Sequence, residues 1–469
     1  MENAFYGCSN SKPKFLYIYN GTTTWNTAMN TVHGNNGVFV IDRNSVSNSG
    51  FSSNFTFVES QAKVVITNYT GSSNVVYVPD TYNGKPVYLR RVNGYYEYSD
   101  FYVSDGVFYG KSRLTDIYLG TNVQIEGHNA AYMFSGCYNL RNMPTLPKNT
   151  TDMSYCFSGC SNLKQGPMIV PNTVTNMCHS FSSCGNLTNI PYLDSYYSQC
   201  QDMSYAFSYC YNLTGSLTIP NTVTNLANIC YYGGNKVSSV YIGEGVTNLA
   251  LAFYCANFNN SSTGINITIP QSAMNLYYAF YNAKGVKNIH FSYNRISNNT
   301  NAYSMCWNCS DLITTSGIPN GIANAQYMYN YCANLTNIRN AYIPNTVNSL
   351  YMAFANCPKF NSTVRIENGS NAVVAQYMFN NCTNMNSIIY LGNRVSNFSY
   401  GLFGCTNFAN TVYFYNNSLS GVHMMYMWNS TNTSKQKKAY AYSSSSTYAN
   451  IYNNSYTYAN YWNVNRQSI

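Results

Sequence analysis

The sequence predicts a strand-rich α/β solenoid, in which one short unit is repeated along most of the chain. A block containing an aromatic residue, a cysteine and an Asn-Leu pair recurs every 23 to 27 residues. A second block, Ile-Pro-Asn-Thr-Val, lies between successive copies of the first. Charged residues make up 8% of the 469 residues and aromatic residues 16%. This composition excludes a disordered chain, which would carry few aromatic residues and much charge.

The first block is clearest at residues 134–140 (FSGCYNL) and 157–163 (FSGCSNL). A period of about 20 to 29 residues with regular leucine and asparagine is typical of leucine-rich repeats. The aromatic slot falls at residues 108, 134, 157, 181, 207, 253, 280, 329, 354, 379 and 403, with Cys230 and Cys306 in two gaps. We predict that the following repeated residues form the core: Phe134, Cys137, Leu140, Phe157, Cys160, Leu163, Phe181, Cys184, Leu187, Phe207, Cys210, Leu213, Cys332, Leu335, Phe354, Cys357, Phe379 and Cys382.

Each part of the unit predicts a local structure. Leu213, Leu217 and Ile219 alternate with small polar residues, as in a short, half-buried strand. Pro220 ends that strand, because proline has no N–H to donate to a sheet. The aromatic and cysteine block is too short for a stable α-helix and is interpreted as one helical or 3-10 turn. Stacking the units aligns their apolar residues into columns, and the repeated asparagine is expected to form a ladder between units.

The repeats resemble the BspA-like leucine-rich-repeat family, whose units read much like AFxGCxxLxxIxIPxxVTxI. The entry to the array, residues 64–71 (VVITNYTG) and 76–87 (VYVPDTYNGKPV), is similar to the opening strands of that family. Residues 439–442 and 448–462 are similar to its closing strand and short helix. The resemblance covers about residues 63–469 and implies adhesion through a repeat surface. This chain departs from the family in its scarcity of charge and in the absence of a recognisable signal peptide at its N-terminus.

We therefore predict three regions. Residues 1–62 form a small β-rich attachment or capping region, residues 63–430 form a solenoid of about 13 to 14 units, and residues 431–469 form a C-terminal cap. No window approaches the roughly 20 apolar residues of a membrane-spanning helix, so no membrane insertion is expected. The net charge of +9 is spread over the chain rather than clustered as in nucleic-acid binders, and no nucleic acid is expected as a partner.

The cysteines and histidines predict no catalytic or metal site. Most cysteines occupy the repeated slot or a shortened form of it, such as Cys255 and Cys405, and buried free cysteine is common. We expect reduced thiols, no metal and no cofactor. The Cys306-Cys309 pair has no second pair at zinc spacing, and Cys178-His179 lacks an orienting third group. Paired carboxylates for glycoside hydrolysis, brought together from distant repeats, stay a remote alternative.

The tyrosines point to binding. The chain has 49 tyrosines and 72 asparagines, and recognition surfaces combine rigid Tyr contacts with adaptable Asn and Ser hydrogen bonds. Core packing accounts for part of this excess. The candidate binding residues are tyrosines that are doubled where the repeat does not require them: Tyr196, Tyr197, Tyr231, Tyr232, Tyr277 and Tyr278.

These features favour a non-enzymatic recognition or structural protein displayed outside a cell. The first hypothesis is a phage virion component, such as a fibre, decoration or receptor-binding subunit, because a phage protein reaches the outside without a leader. Its expected partners are a host-surface glycan or protein, other virion or surface proteins through residues 1–62, and possible further copies of itself. The alternative is a bacterial or protist cell-surface adhesin, and a polysaccharide-active enzyme is the remote third class.

Overall fold

The computed structural model describes residues 14–17, 38–41, 48–91, 93–97, 100–164, 169–192, 198–258, 264–414, 427, 437–441 and 462–466. It is a strand-rich solenoid of about 14 turns. Helix is almost absent from these residues: α1 (Asn48–Asn54) has seven residues, and Glu126–His128 is a single 3-10 turn. The prediction of a repeat solenoid with short strands is confirmed.

The entry to the solenoid consists of short, paired strands. The first strands in chain order are β1 (Lys14–Tyr17), β2 (Val38–Ile41), β3 (Phe55–Glu59), β4 (Val64–Tyr69), β5 (Val75–Val78), β6 (Thr81–Tyr82), β7 (Lys85–Leu89), β8 (Asn93–Glu97), β9 (Asp100–Asp105), β10 (Asp116–Leu119) and β11 (Gln124–Ile125). Strands β11, β7, β4 and β3 form one sheet in that order, with β6 paired to β7. The ring of Phe51 in α1 stacks on Tyr82 at 4.2 Å and fixes the helix against this sheet.

Short strands from successive turns pair in two separate lines along the repeat array. Because each turn brings the chain back to the same side of the solenoid, strands of successive turns pair in parallel. In chain order the strands are β12 (Thr214–Thr218), β13 (Lys236–Tyr241), β14 (Ile265–Ile269), β15 (Val286–Phe291), β16 (Arg295–Asn301), β17 (Thr314–Thr315), β18 (Asn320–Asn324), β19 (Asn337–Ile338), β20 (Tyr342–Ile343), β21 (Val364–Ile366), β22 (Val373–Val374), β23 (Ile389–Leu391), β24 (Val395–Asn397), β25 (Thr411–Phe414), β26 (Lys437–Ala441) and β27 (Trp462–Arg466). The second line consists of β16 paired with β18 and β22 paired with β24, and the other strands belong to the first line.

The aromatic slot forms a stacked column through the core. The ring of Phe157 lies 5.2 Å from Phe134 and 5.4 Å from Phe181, nearly parallel to both. All eighteen residues predicted for the repeated core have exposed fractions of 0%. Two assignments at the shortened units are wrong. The aromatic slot and the cysteine slot are three residues apart in the full repeats, whereas the residues assigned in the shortened units are two apart. Leu402 rather than Phe403 is the buried slot residue before Cys405, and buried Ala256 rather than half-buried Cys255 occupies the cysteine column.

The segment around each aromatic slot is a run of tight turns rather than the predicted helical or 3-10 turn. Tyr155 and Gly159, two residues before and two after Phe157, both have left-handed backbone, with φ of 54° and 75°. The same two positions have positive φ in the following turns of the array. In the described part of the chain, none of the 24 non-glycine residues with positive φ is β-branched, as expected because branching at Cβ makes this conformation costly.

Hydrogen bonds from these tight turns alternate between two directions. The N–H of Phe134 donates to the carbonyl of Cys156 in the next turn of the solenoid at 2.9 Å. The next N–H, of Ser135, instead donates back to Tyr132 O at 3.1 Å within its own turn. The backbone polar groups of the segment are thereby satisfied without helix or strand.

The cysteine column supplies hydrogen bonds as well as apolar volume. The Sγ of Cys160 donates to the carbonyl of Phe134 in the preceding turn at 3.2 Å. Eight further column cysteines make the equivalent bond at 2.9–3.1 Å. The fifteen cysteines in the described part of the chain are free thiols. Burial raises the pKa of Cys137 to about 12, so this thiol stays protonated and able to donate.

We expect Cys160→Ala to lower the free energy of unfolding by about 1–2 kcal/mol, because a buried carbonyl loses a donor and a small cavity remains. Urea denaturation followed by circular dichroism measures the change. Cys178→Ala is the matched control, since Cys178 is half-buried and lies outside the column. An equal loss in both variants would show that the thiol bond of the column contributes nothing.

Candidate recognition surface

The exposed side of the tight turns carries no charged residue. We define the aromatic face as residues 204–209, 227–232, 250–255, 277–282, 303–308, 326–331, 351–356, 376–381 and 399–404, one segment from each of nine successive turns. These segments contain no Asp, Glu, Lys or Arg. Their outward side chains are mainly tyrosine, with asparagine, serine and glutamine between them. The face therefore combines apolar rings with neutral hydrogen-bonding groups.

Part of the aromatic face is a column of stacked rings. Tyr231 stacks on Tyr254 at 5.0 Å, Tyr254 on Tyr281 at 4.8 Å, and Tyr281 on Trp307 at 4.6 Å, all within 18° of parallel. Each of these residues directly follows the aromatic slot of its turn. Stacked rings cover one another's faces, so this column presents ring edges and polar groups to solvent.

The rings continue along a second column towards the C-terminal end. Tyr303, Tyr327, Tyr351 and Tyr377 contact one another in sequence at 5.6, 5.3 and 5.9 Å. Their interplanar angles of 72°, 78° and 76° are edge-to-face, which leaves parts of the ring faces uncovered. Contacts from Tyr278 to both Tyr254 and Tyr303 join the two columns. Ring contacts are thus continuous across the nine segments.

The structure brings four of the six predicted binding residues into this face. Tyr231 and Tyr232 touch at 4.8 Å, and Tyr277 and Tyr278 touch at 4.3 Å, each pair edge-to-face. The exposed fractions of Tyr232 and Tyr277 are 42% and 37%. Tyr196 and Tyr197 lie outside the described residues. The prediction missed the other tyrosines on the outer side of the face. Alignment of every turn on its aromatic slot would have found them: Tyr205, Tyr209, Tyr254, Tyr281, Tyr303, Tyr327, Tyr331, Tyr351, Tyr377 and Tyr400.

Several phenols of the aromatic face have a raised pKa and stay neutral well above physiological pH. Burial raises the pKa of Tyr254 and of Tyr327 to about 12 in each case. A hydrogen bond with Cys255 is the largest cause that raises the pKa of Tyr232. Neutral phenols both donate and accept hydrogen bonds, so the face offers paired donors and acceptors without charge.

A sequence profile described as "BspA type Leucine rich repeat region" matches residues 99–203, 201–325, 251–386 and 312–432, with six copies. These ranges cover more than half of the chain. The chain belongs to the BspA-type leucine-rich-repeat family.

Solved structures similar to this BspA-type protein include three repeat proteins. A leucine-rich repeat protein from Bacteroides ovatus is 16% identical, covers 92% of this chain and 100% of its own, and has a TM-score of 0.49. A T. pallidum leucine-rich repeat protein is 19% identical over 47% of this chain and 81% of its own, with a TM-score of 0.26. The pneumococcal vaccine antigen PcpA is 13% identical over 88% and 99%, with a TM-score of 0.36. No curated protein sequence matches the chain.

The cysteine motifs of this BspA-type protein take part in packing and hydrogen bonding. The Sγ of Cys178 accepts a hydrogen bond from Ser204 Oγ at 3.2 Å, and burial raises the pKa of the Cys178 thiol. A nucleophilic thiol needs a lowered pKa. Cys306 fills a core slot, and Cys309 donates to Phe280 O at 2.9 Å. Among the residues that the structure describes, no group of three His, Cys, Asp or Glu side chains could hold a metal ion. None of the helices there is long and apolar enough to span a membrane.

We expect His179 to make the stability of the repeat array of this BspA-type protein depend on pH. Its ring is stacked between Tyr155 at 4.3 Å and Tyr205 at 4.2 Å, and burial lowers the pKa of His179 to about 4. A histidine in the unfolded chain has a pKa of about 6.5. Because the folded state keeps the ring neutral, its stabilising contribution is complete above about pH 7 and is lost as the pH falls from about 6.5 towards 4.

We therefore expect His179→Tyr, which restores the commonest residue of this column, to reduce the fall in urea midpoint between pH 7 and pH 4. The two proteins should differ little at pH 7. Parallel pH profiles for the two proteins would contradict this role for His179.

Proposed function

We propose that this protein is a non-enzymatic recognition protein whose aromatic face binds an uncharged, extended partner, with a surface glycan as the leading class. The observation that carries the proposal is the run of nine uncharged segments with continuous ring contacts. Family and fold are those of recognition and structural repeats. Tyrosine provides rigid contact area at low entropic cost, and amides and hydroxyls adapt their hydrogen bonds to the partner.

The dimensions of the face favour a linear polymer. Neighbouring turns of a solenoid with parallel strands lie about 4.8 Å apart, so nine turns extend over roughly 40 Å. Each segment is only six residues wide, which makes the face much longer than broad. A chain of sugar rings presents regularly spaced hydroxyl groups, and it could contact several turns at once. A weak contact at each turn would then sum to useful affinity.

The absence of charge separates this proposal from its competitors. A nucleic acid or an acidic polymer would require a row of Lys or Arg, and the face has none. Binding through neutral groups is weakly sensitive to ionic strength, since screening acts on charges. A partner held mainly by the aromatic face should therefore stay bound when salt is raised.

The direct test is binding of the full chain to neutral polysaccharides extracted from candidate host surfaces, measured at low and high salt. We expect binding that survives high salt and weakens at least about tenfold in the double variant Tyr232→Ser and Tyr277→Ser, since aromatic contacts dominate such interfaces. The control is Tyr241→Ser, a tyrosine that is 53% exposed on the parallel sheet. Equal losses in control and double variant, or binding only to a protein receptor, would overturn the proposal.

We further propose display on a phage particle, with a cell surface as the alternative. In this proposal residues 1–62 contact other virion or surface proteins, and copies of the chain could associate. Peptides of this chain in purified virions would support the first location, and their consistent absence would refute it. Release of reducing sugar from host-wall glycan by the purified protein would instead indicate an enzyme.

A further inference from the structure

We infer that a groove outside the aromatic face binds a single saccharide unit. The groove has a volume of about 750 Å³, and its lining includes Glu244, Gln271, Tyr293, Arg295 and Asn298. This volume lies within the usual range of small-ligand sites. None of these residues belongs to the nine segments of the aromatic face. The inference therefore stands independently of the proposed function.

The groove is created by extra residues in one turn of the array. The step from Phe291 to Asn301 takes ten residues, whereas the equivalent step from Ile269 to Asn275 takes six. In the β16–β18 pairing, Arg295 lies opposite Asn320 and Thr300 opposite Ile322, so four residues on one strand face one on the other. Such bulges re-aim side chains and are common beside binding sites.

The next turn of the array, which contains β18, has a glycine that makes room for the bulge. Gly321 stands where other turns have threonine, and its φ is 106°. A Cβ at this position would collide with the carbonyl oxygens of Ile296 and Ser297 in the bulge. A glycine is thus required by both conformation and space. Because the glycine at residue 321 matches the shape of the bulge, the bulge is a fixed part of the fold.

The carboxylate of Glu244 is held in place at one position of the groove. Its Oε1 accepts a hydrogen bond from Ser292 Oγ at 3.0 Å, and its Oε2 accepts one from the N–H of Gln271 at 3.3 Å. Arg295 and Tyr293 are exposed, with an exposed fraction of 59% for Tyr293. Within the described residues, no ion pair joins Glu244 to Arg295. Both charged groups are therefore available to a ligand.

These groups select for a sugar over other small ligands. The groove has a single carboxylate, and the positive charge of Arg295 also lines it, which disfavours a metal ion. A phosphate would meet one guanidinium and one carboxylate, with opposing effects. A pyranose fits the whole set: its hydroxyls donate to Glu244 and accept from Arg295 and the amides, while its C–H face packs on the ring of Tyr293.

The test is saturation-transfer NMR and calorimetry on the full chain with glucose, galactose, mannose and N-acetylglucosamine as probes. We expect at least one of them to bind, and Glu244→Gln, Arg295→Gln and Tyr293→Ser each to weaken it by about tenfold or more. Tyr192→Ser, with a similar exposed fraction of 63%, is the control for loss of a surface tyrosine.

Two outcomes would overturn the inference. The first is that no monosaccharide binds, or that the groove variants bind as the unaltered chain does. The second is that inorganic phosphate or calcium, each tested without a sugar, binds in the groove. Because the aromatic-face variant leaves the groove intact, it should retain monosaccharide binding even if it loses the polysaccharide, so the two sites can fail separately.

Discussion

Replacing Arg394 with methionine is expected to lower the free energy of unfolding by about 3–5 kcal/mol, because it removes a buried cation from a set of backbone acceptors. Arg394 is only 4% exposed. Its guanidinium donates to five carbonyl oxygens, which belong to the two preceding turns: Pro344, Asn345, Val347, Glu367 and Asn371, at 2.7–3.2 Å.

The equivalent position is threonine in three other turns, at Thr173, Thr222 and Thr346. Thr173, for example, donates to two carbonyls, those of Lys148 and Thr150. The longer arginine side chain also donates to backbone carbonyls, and it reaches more of them. Methionine has no donor and would leave several of these buried carbonyls without a hydrogen bond. Lysine could not satisfy five acceptors either, because an ammonium group has three donors.

Urea denaturation of Arg394→Met, followed by circular dichroism, measures the loss. Arg365→Met is the matched control, since Arg365 is half-buried and its guanidinium lies over the rings of Tyr342 and Tyr390 at 5.6 and 4.1 Å. An interaction of that kind is worth about 0.5–2 kcal/mol. If the two variants lose the same stability, the carbonyl contacts of Arg394 do not stabilise the array as argued.

Removing one ring from the aromatic column should have an effect of similar size. Phe157→Ala deletes a fully buried ring that stacks on Phe134 and Phe181. The expected loss is about 3–5 kcal/mol, from lost burial and from the cavity that remains between neighbouring turns. Since each turn contacts only its neighbours, the defect should also make the array unfold in two parts rather than cooperatively.

Phe157→Leu is the informative comparison. Leu402 occupies the same slot in a later turn, so leucine fits the column and should cost less than about 1.5 kcal/mol. Tyr138→Ala, at a residue 55% exposed, should change stability by at most about 0.5 kcal/mol. A loss in Phe157→Ala no larger than in Phe157→Leu would mean that the column relaxes around the missing ring.

The columns of the solenoid were predictable because repetition in the sequence places equivalent residues above one another. Phe134, Phe157 and Phe181 stack as their spacing implies. What the spacing did not reveal was backbone conformation. Left-handed residues such as Tyr155 need only the absence of branching at Cβ, and many residue types meet that condition. The thiol bond of Cys160 to a carbonyl was equally hidden, since a small apolar filler would give the same pattern.

The aromatic face was only partly predictable, because its rings change column from turn to turn. Tyr231 directly follows its slot, whereas Tyr277 stands three residues before its own. The doubled tyrosines predicted both positions. The ring contacts are continuous from turn to turn, however, only through single aromatic residues such as Trp307. The groove depends on four extra residues between Phe291 and Asn301, and an insertion by itself does not show which way its side chains point.

The alternating hydrogen bonds of the tight turns bear on how this chain manages with so little charge. On that side of the solenoid, N–H groups such as that of Phe134 point towards the C-terminal neighbour. Elsewhere in the turns some N–H groups point the opposite way, as when the N–H of Lys164 donates to Arg141 O at 3.0 Å. The peptide dipoles therefore oppose one another along the axis, unlike those of an α-helix, where they add. An array built this way can be lengthened turn by turn without accumulating an axial field, and its ends require no compensating acidic or basic residues.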